Sequence, residues 1–484
     1  MSTNNLSKAP IVVIGAGVAG LAAANLLAHQ GLPVRVFEVN DKVGGCCATT
    51  TIDGYTFNDG ALFLGIIGLL DHVFARLGLD RHELLPLRKI SANSSIELPD
   101  GTVIALGEGF DIGVKGRAVD MIRLQGELRR MVEKWQPVLH FASEELLTHP
   151  FSPWRALQKG WRHLHKLRGT VASECNRLFS DNAVKSALSG TLLYSGLPAE
   201  RMPVSTILGL VSTLTEGLYL PEGGMRMVPE VLNRALGNRR VPVLLNTRIG
   251  KIIIENGRAC GVQVKDGERV DAAGVISTAS GMLTFGSMID KKHVPHAIQR
   301  RLTRVRLSHQ SVSLQLGLSN KIDTPAHNIS VLPWMEHQRE IFQQDGSEPK
   351  FPVYSAPTRT LPELATEGGS ITRCSVRRQH RSNVRVDGQK LNRRRPYRTS
   401  GQLTAKSIIH QRAKRRFSDC ARKVTELTPE GLLTYSFSGA LRMACSRWST
   451  ALLSLVRRPD MAAAVRNSFS ASATWPSCRC ALPK

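Results

Sequence analysis

The sequence predicts an α/β fold, in which a nucleotide-binding domain built on a parallel sheet carries an inserted domain of mixed sheet and helix. Three observations predict it. A β-branched run, Ile11-Val12-Val13-Ile14, leads at once into Gly15-Ala16-Gly17-Val18-Ala19-Gly20 and then into an Ala- and Leu-rich segment, Leu21 to His29. A second short run, Pro33 to Phe37, ends in an acid, Glu38. Between two stretches rich in strands and turns, residues 111–214 place apolar side chains mostly at helical spacing. The chain has 484 residues, 42% hydrophobic and 21% charged, enough for two or three domains and unlike a disordered or fibrous chain.

The first of these segments has the composition of a strand buried on both faces. The glycines that follow match G-x-G-x-x-G, and each has a separate task. Gly15 allows the tight turn, Gly17 lets a pyrophosphate approach the backbone, and Gly20 lets helix and strand pack closely. The helix ends at Gly31. The start of the helix offers free N–H groups and a positive dipole end to phosphates, and Val18 and Ala19, just before it, join the binding set. Glu38 can accept hydrogen bonds from ribose hydroxyls and would repel a 2′-phosphate, which disfavours NADP. Strand, glycines, helix, second strand and acid in this order form a Rossmann-like dinucleotide fingerprint.

Two further segments follow Glu38 and Val39. They are Asp41-Lys42-Val43-Gly44-Gly45 and Asp53-Gly54-Tyr55-Thr56-Phe57-Asn58-Asp59-Gly60. Here the sequence resembles the phytoene desaturase family of FAD-dependent oxidoreductases, which includes carotenoid isomerases and retinol saturases. The resemblance implies FAD as cofactor, with Gly44 and Gly45 along it, and adds Val39 and Gly60 to the binding set. The family often has Arg after the glycine pair. This chain has Cys46-Cys47, as on the retinol-saturase side, and both are expected to be small buried packing residues. Farther on, Leu220-Pro221-Glu222-Gly223-Gly224-Met225 precedes an expected helix, Val228 to Leu236. Strands are expected over 241–246, 250–255, 261–265 and 274–277, with turns at Asn256-Gly257 and Asp266-Gly267. The resemblance places a backbone contact to adenine at Ile249. The family's usual Asn or Asp near 277–280 is replaced by Ser277-Thr278-Ala279-Ser280.

These features divide the chain into a discontinuous FAD-binding domain (1–110 and 215–285), a substrate domain (111–214 and 286–370) and a tail (371–484). In the substrate domain, helices are expected over 118–147 and from Asp181, and a strand over 311–318. Segment 154–168 has five Lys and Arg and no acid, and Trp154, Leu157, Trp161 and Leu164 share one helix face. That face suits either packing on the core or peripheral contact with anionic lipid, and both readings stay open. The apolar run Ala61–Leu70 is read as a buried core helix, with a wall for an apolar substrate as the alternative. No hydrolase or metal-binding set of residues emerges, and no general acid or base can be named.

Net charge is +25, but the region from Ile371 onward holds 24 Lys and Arg against 5 Asp and Glu, or +19 of it. This region also carries five of the nine Cys and only four of the 41 Gly. The resemblance stops at Ile371, and the Gly-rich segment with which the family closes its FAD site does not follow. The tail is therefore read as atypical, with a shift of reading frame near Ile371-Thr372 as the expected cause. Its Arg clusters lack interleaved aromatics, so nucleic acid is not the expected partner. The C-x-C at Cys478 and Cys480 has no second pair at metal spacing. With no signal segment and no cysteine framework, the expected location is the cytoplasm, with peripheral contact at the inner membrane surface as an added possibility.

The resemblance implies FAD-dependent redox chemistry on an apolar polyene or isoprenoid: desaturation, saturation or isomerisation. The alternatives are an amine-oxidase-like flavoprotein and a non-enzymatic basic protein, binding nucleic acid or membrane, with a vestigial FAD fold.

Overall fold

Ile11–Ile14 is apolar throughout because both of its faces are covered. It lies between Val34–Phe37 and Gly274–Ser277 in a four-stranded parallel sheet, which Val243–Leu244 completes beyond Val34–Phe37. The computed structural model describes residues 9–378 apart from 108–109, 150–151, 266, 306–309 and 344–350, with the backbone alone at 310–312, 343, 376–378 and 433–437. On one face of the parallel sheet, Val13 and Val36 pack on Leu21 and Ala24 of the helix Val18–His29 and on Val228 and Leu232 of the helix Met227–Asn238. Asn25, fully buried, ties these helices together by donating from Nδ2 to the Leu232 carbonyl at 2.8 Å. On the other face, Val12, Ile14 and Phe37 pack on a three-stranded antiparallel sheet, Ile249–Glu255, Arg258–Val264 and Arg269–Asp271. Alternation along single strands thus supplies two separate cores.

The first helix begins at Val18, not at Leu21. Gly20, which sequence composition would place outside a helix, lies in its first turn because a close approach to the loop requires it there.

A second sheet has eight strands. Its order is Leu433–Phe437, Gln310–Leu318, Ser370–Arg378, Val353–Ser355, Asn328–Val331, Ser94–Glu97, Val103–Leu106, Ile112–Lys115. Two expected boundaries fall inside it. The strands at 94–97 and 103–106 lie before residue 110, yet they join this sheet, with Ser94–Glu97 running parallel to Asn328–Val331. Ser370–Arg378 crosses the compositional break at Ile371 and keeps register with Gln310–Leu318 along its whole length. Ile371, Thr372, Arg373 and Cys374 are buried there. The remainder of the tail apart from the strand Leu433–Phe437, including its Arg clusters and C-x-C, lies outside the described residues.

Helices Met121–Phe141, Val171–Leu178, Asn182–Thr191 and Ile207–Thr215 pack with one another and with the strands at 94–115 in the largest core. The long helix expected over 118–147 starts at Met121, where Asp120 accepts from the Arg123 N–H, and passes into a π-helical stretch at Ala142–Leu147. Its Trp135 is fully buried and donates from the indole N–H to Glu174 at 2.7 Å. Lys134 and Arg177 bond the same carboxylate. Burial alone would push the Glu174 pKa up, but the three donors prevail and hold it below its ordinary value of 4.5. A depressed folded pKa contributes stability that is present above pH 4.5 and is lost as pH falls through the folded value. Glu174→Gln should therefore cost about 2 kcal/mol at neutral pH and less in acid. Urea midpoints at neutral pH and below pH 4.5 check this, and an equal loss at both would contradict it.

Candidate cofactor site

The loop after Ile14 is shaped by contacts within the chain. Gly15 adopts φ +100°, where a Cβ would meet Thr278 Oγ1 at 2.6 Å. A Cβ on Gly20 would run into the Gly15 carbonyl oxygen. Thr278 Oγ1 donates to the Ile14 carbonyl at 2.9 Å and fills the space that these two glycines leave. Gly17 caps the helix in an extended conformation, and the first turn carries no acid. The N–H groups at Val18, Ala19 and Gly20 have no acceptor within the helix, as at any helix start. Ala19 is exposed and Val18 half-buried. Bare N–H groups with no acid beside them are the donor set an anion requires.

Glu38 closes onto this loop. Its carboxylate is 5% exposed. Oε2 accepts from the Ala16 N–H at 2.7 Å, and Oε1 accepts from the Asn40 N–H at 2.9 Å and from Asn40 Nδ2 at 2.6 Å. A carboxylate has about four lone-pair sites, so these three bonds leave Oε2 with room for one hydroxyl donor. Val39, the next residue, is exposed.

Gly44 and Gly45 cross the loop. Gly44 pairs with Gly17 as a parallel bridge and donates from its N–H to the Ala16 carbonyl at 2.9 Å. A Cβ on Gly45, which takes φ +55°, would stand 3.3 Å from the Gly17 Cα, so the crossing favours glycine at 45, while a Cβ on Gly17 would meet Gly45 at an ordinary 3.9 Å. Gly60 faces the main chain of Cys46, into which a Cβ would run. Its lack of a side chain is thus explained within the chain. Cys46 and Cys47 are free thiols on the turn Gly45–Cys47. They are not both buried as expected: Cys46 is exposed and Cys47 half-buried. Burial, and secondarily Cys46, pushes the Cys47 thiol up, which keeps it protonated.

Ile249 opens the strand Ile249–Glu255, two residues after Thr247. Its side chain is buried beneath the parallel sheet with Val12 and Phe37, and it stands opposite Val264. Just before Ile249, Asn246 and Thr247 donate to the Asn40 and Glu38 carbonyls at 2.9 and 2.7 Å. Three residues that organise the site were not picked out from the sequence as site residues: Asn40, Thr278 and Arg373. Arg373 is buried, and burial lowers its pKa. It donates to the carbonyls of Asn58 and Gly60 at 3.3 and 3.4 Å and to Ser313 Oγ at 3.0 Å. Thus the Asp59-Gly60 turn is held by a residue from beyond the compositional break.

Ala61–Leu70 follows this turn. It is not a buried core helix. The run is mostly half-buried, with Gly65 and Gly68 exposed, and only its last residues enter the helix Ile67–Arg76. Ile66 takes φ +53°, a left-handed conformation that costs a β-branched residue of order 1–3 kcal/mol. Phe63 stands edge-on to the Tyr194 ring, centroids 6.0 Å apart. An apolar, partly open segment therefore adjoins the glycine turn.

The residues present fit a dinucleotide: uncapped N–H donors at one end and a buried carboxylate with a free lone pair at the end of the neighbouring strand. Comparison with known proteins agrees. The model of the family described as flavin containing amine oxidoreductase matches residues 18–299. A zeta-carotene-forming phytoene desaturase of Myxococcus xanthus is 25% identical over 367 residues, 74% of this chain and 70% of that protein. The phytoene desaturase of Cercospora nicotianae is 27% identical, over 75% of this chain and 60% of its own length. A lycopene-forming phytoene desaturase of Pantoea ananas is 26% identical, over 74% of each. Among solved structures, a putrescine oxidase bound to putrescine superposes with a TM-score of 0.55 at 18% identity, covering 89% of this chain and 84% of that one. A reduced UDP-galactopyranose mutase gives 0.52 at 13% identity, covering 94% and 88%. These two likenesses establish the fold.

Proposed function

We propose, on the premise that this chain belongs to the flavin containing amine oxidoreductases and is an FAD-dependent oxidoreductase of the phytoene desaturase type, that it desaturates an apolar polyene. The observation that carries this reading is the partly open apolar segment Ala61–Leu70 directly after the Gly60 turn. Bound FAD supplies a two-electron acceptor. The chain supplies position. Gly15, Gly17 and Gly20 shape the loop, and the N–H groups from Val18 to Gly20 face the pyrophosphate. Glu38, steadied by Asn40, takes a ribose hydroxyl, while Gly44 and Gly45 bring the second loop alongside. Phe63 and its neighbours exclude water and hold hydrocarbon by dispersion and burial.

A polar amine is the poorer substrate, because the apolar run offers no carboxylate to hold an ammonium. Among the described residues no helix is long and apolar enough to cross a membrane. The test is turnover of purified protein loaded with FAD, using phytoene in detergent and putrescine in parallel. We expect new conjugated double bonds from the polyene and no hydrogen peroxide from the amine. Amine turnover with an inert polyene would overturn the reading.

A further inference from the structure

We infer that the helix Pro153–Leu164, with the short turn His165–Leu167 behind it, docks this protein on an anionic lipid bilayer. The inference stands on the helix itself and does not depend on which substrate the enzyme uses.

A surface helix normally turns its large apolar side chains inward. This one does the opposite. Trp154, Leu157, Trp161, Leu164 and Leu167 are 66%, 48%, 63%, 46% and 43% exposed. The inward face is the small one. Gly160 is the helix's buried residue, and a Cβ there would meet the Phe141 ring at 2.5 Å. His163 rests against the same ring, centroids 5.5 Å apart. Anchored through Gly160 and His163, the helix lies close on the protein and leaves its Trp and Leu side chains outward. Ser152 accepts from the Arg155 N–H and Pro153 opens the first turn, so the helix is well started and rigid where it is exposed.

Charge selects the occupant. No acid occurs from Trp154 to Arg168. Arg155 and Lys159 are held by Glu145, and Lys166 donates to the Lys134 carbonyl. Arg162 and Arg168 are exposed and in no ion pair among the described residues. A stripe of Trp and Leu bordered by free cations, with no matching acids, is the pattern that sinks into the headgroup region and binds anionic phosphates. Trp suits this depth because its ring is apolar while its N–H remains hydrated.

The experiment is sedimentation of the full-length protein with vesicles of phosphatidylcholine alone and of phosphatidylcholine with phosphatidylglycerol. We expect binding to the anionic vesicles, weakened by salt, with a blue shift of Trp emission. The double variant Trp154→Ser/Trp161→Ser should bind at least tenfold more weakly, while retained flavin absorbance and melting temperature show that its fold is intact. Arg162→Gln/Arg168→Gln should reduce the preference for phosphatidylglycerol. The basic residues beyond Ile371 are common to all these proteins, so equal binding by wild type and the Trp variant would assign the contact to them and overturn the inference. Absence of wild-type binding would also overturn it. So would a dimer in size-exclusion chromatography that the Trp substitutions dissolve without any vesicle binding, since the stripe would then join two copies of the chain.

Discussion

Valine at position 20 will leave the protein colourless. A Cβ on Gly20 runs into the Gly15 carbonyl oxygen, and Thr278 Oγ1 closes the other side at 3.2 Å. Backbone cannot yield as a long side chain does, so the loop must move off the helix N-terminus. The displacement also breaks the Thr278 hydrogen bond to Ile14 and the crossing with Gly44. We expect FAD affinity to fall by more than about 100-fold, with several degrees lost in melting temperature. Gly68→Ala is the control. It lies in a helix with nothing within 4 Å of its Cβ, and alanine there should be neutral or stabilising by about 0.5–1 kcal/mol. Visible absorbance after gel filtration reads out both. Bound flavin in Gly20→Val at the wild-type ratio would refute the placement of the cofactor on this loop.

Glu38→Ala comes next in expected effect, and its consequences are of two kinds. The first is structural: the buried Ala16 N–H loses its acceptor, as do the N–H and amide of Asn40, which water can reach. At about 1–3 kcal/mol for a donor left unsatisfied away from water, a loss of about 2 kcal/mol is expected, most of it from Ala16. The second is the loss of the ribose acceptor, expected as a drop in FAD affinity of about 100-fold. Glu38→Gln separates the two. It keeps the volume and one acceptor oxygen but points an NH2 group at an N–H on one side. Its stability should lie between those of wild type and the alanine variant, and its FAD affinity nearer to alanine. Chemical denaturation gives the first quantity and flavin titration the second. Undiminished FAD binding in Glu38→Ala would remove the ribose role and leave the carboxylate as a clamp on the loop.

What the sequence made legible was local. Ile11–Ile14, its glycine loop and the following helix were readable because a strand buried on two faces, a tight turn and a helix start each leave a short-range imprint. Composition starts that helix at Leu21, three residues late, because Gly20 has poor helix propensity but is required for close approach, and packing overrides propensity. Longer-range features left little imprint. Nothing near Ser94 announces that it will pair with Asn328, so a boundary at 110 cuts through a sheet. Asn40 and Thr278 are ordinary polar residues until the fold brings one to Glu38 and the other to Gly15. Cys46 was expected inside because cysteine is usually buried, yet the Gly45–Cys47 turn faces it outward. Ala61–Leu70 has the composition of a core segment. Its partial openness belongs to its surroundings and not to its residues.

The position of Ser370–Arg378 has a consequence for any shortened form of this protein. That strand is interior, bonded to Gln310–Leu318 on one side and to Val353–Ser355 on the other. A chain ended at the compositional break would not simply lose a ragged terminus. It would split one sheet into two, each with a fresh row of unpaired N–H and C=O groups, and such rows recruit strands from other molecules. A C-terminus at Arg378 would keep this strand whole, but it would still remove Leu433–Phe437 and uncover the outer edge of Gln310–Leu318.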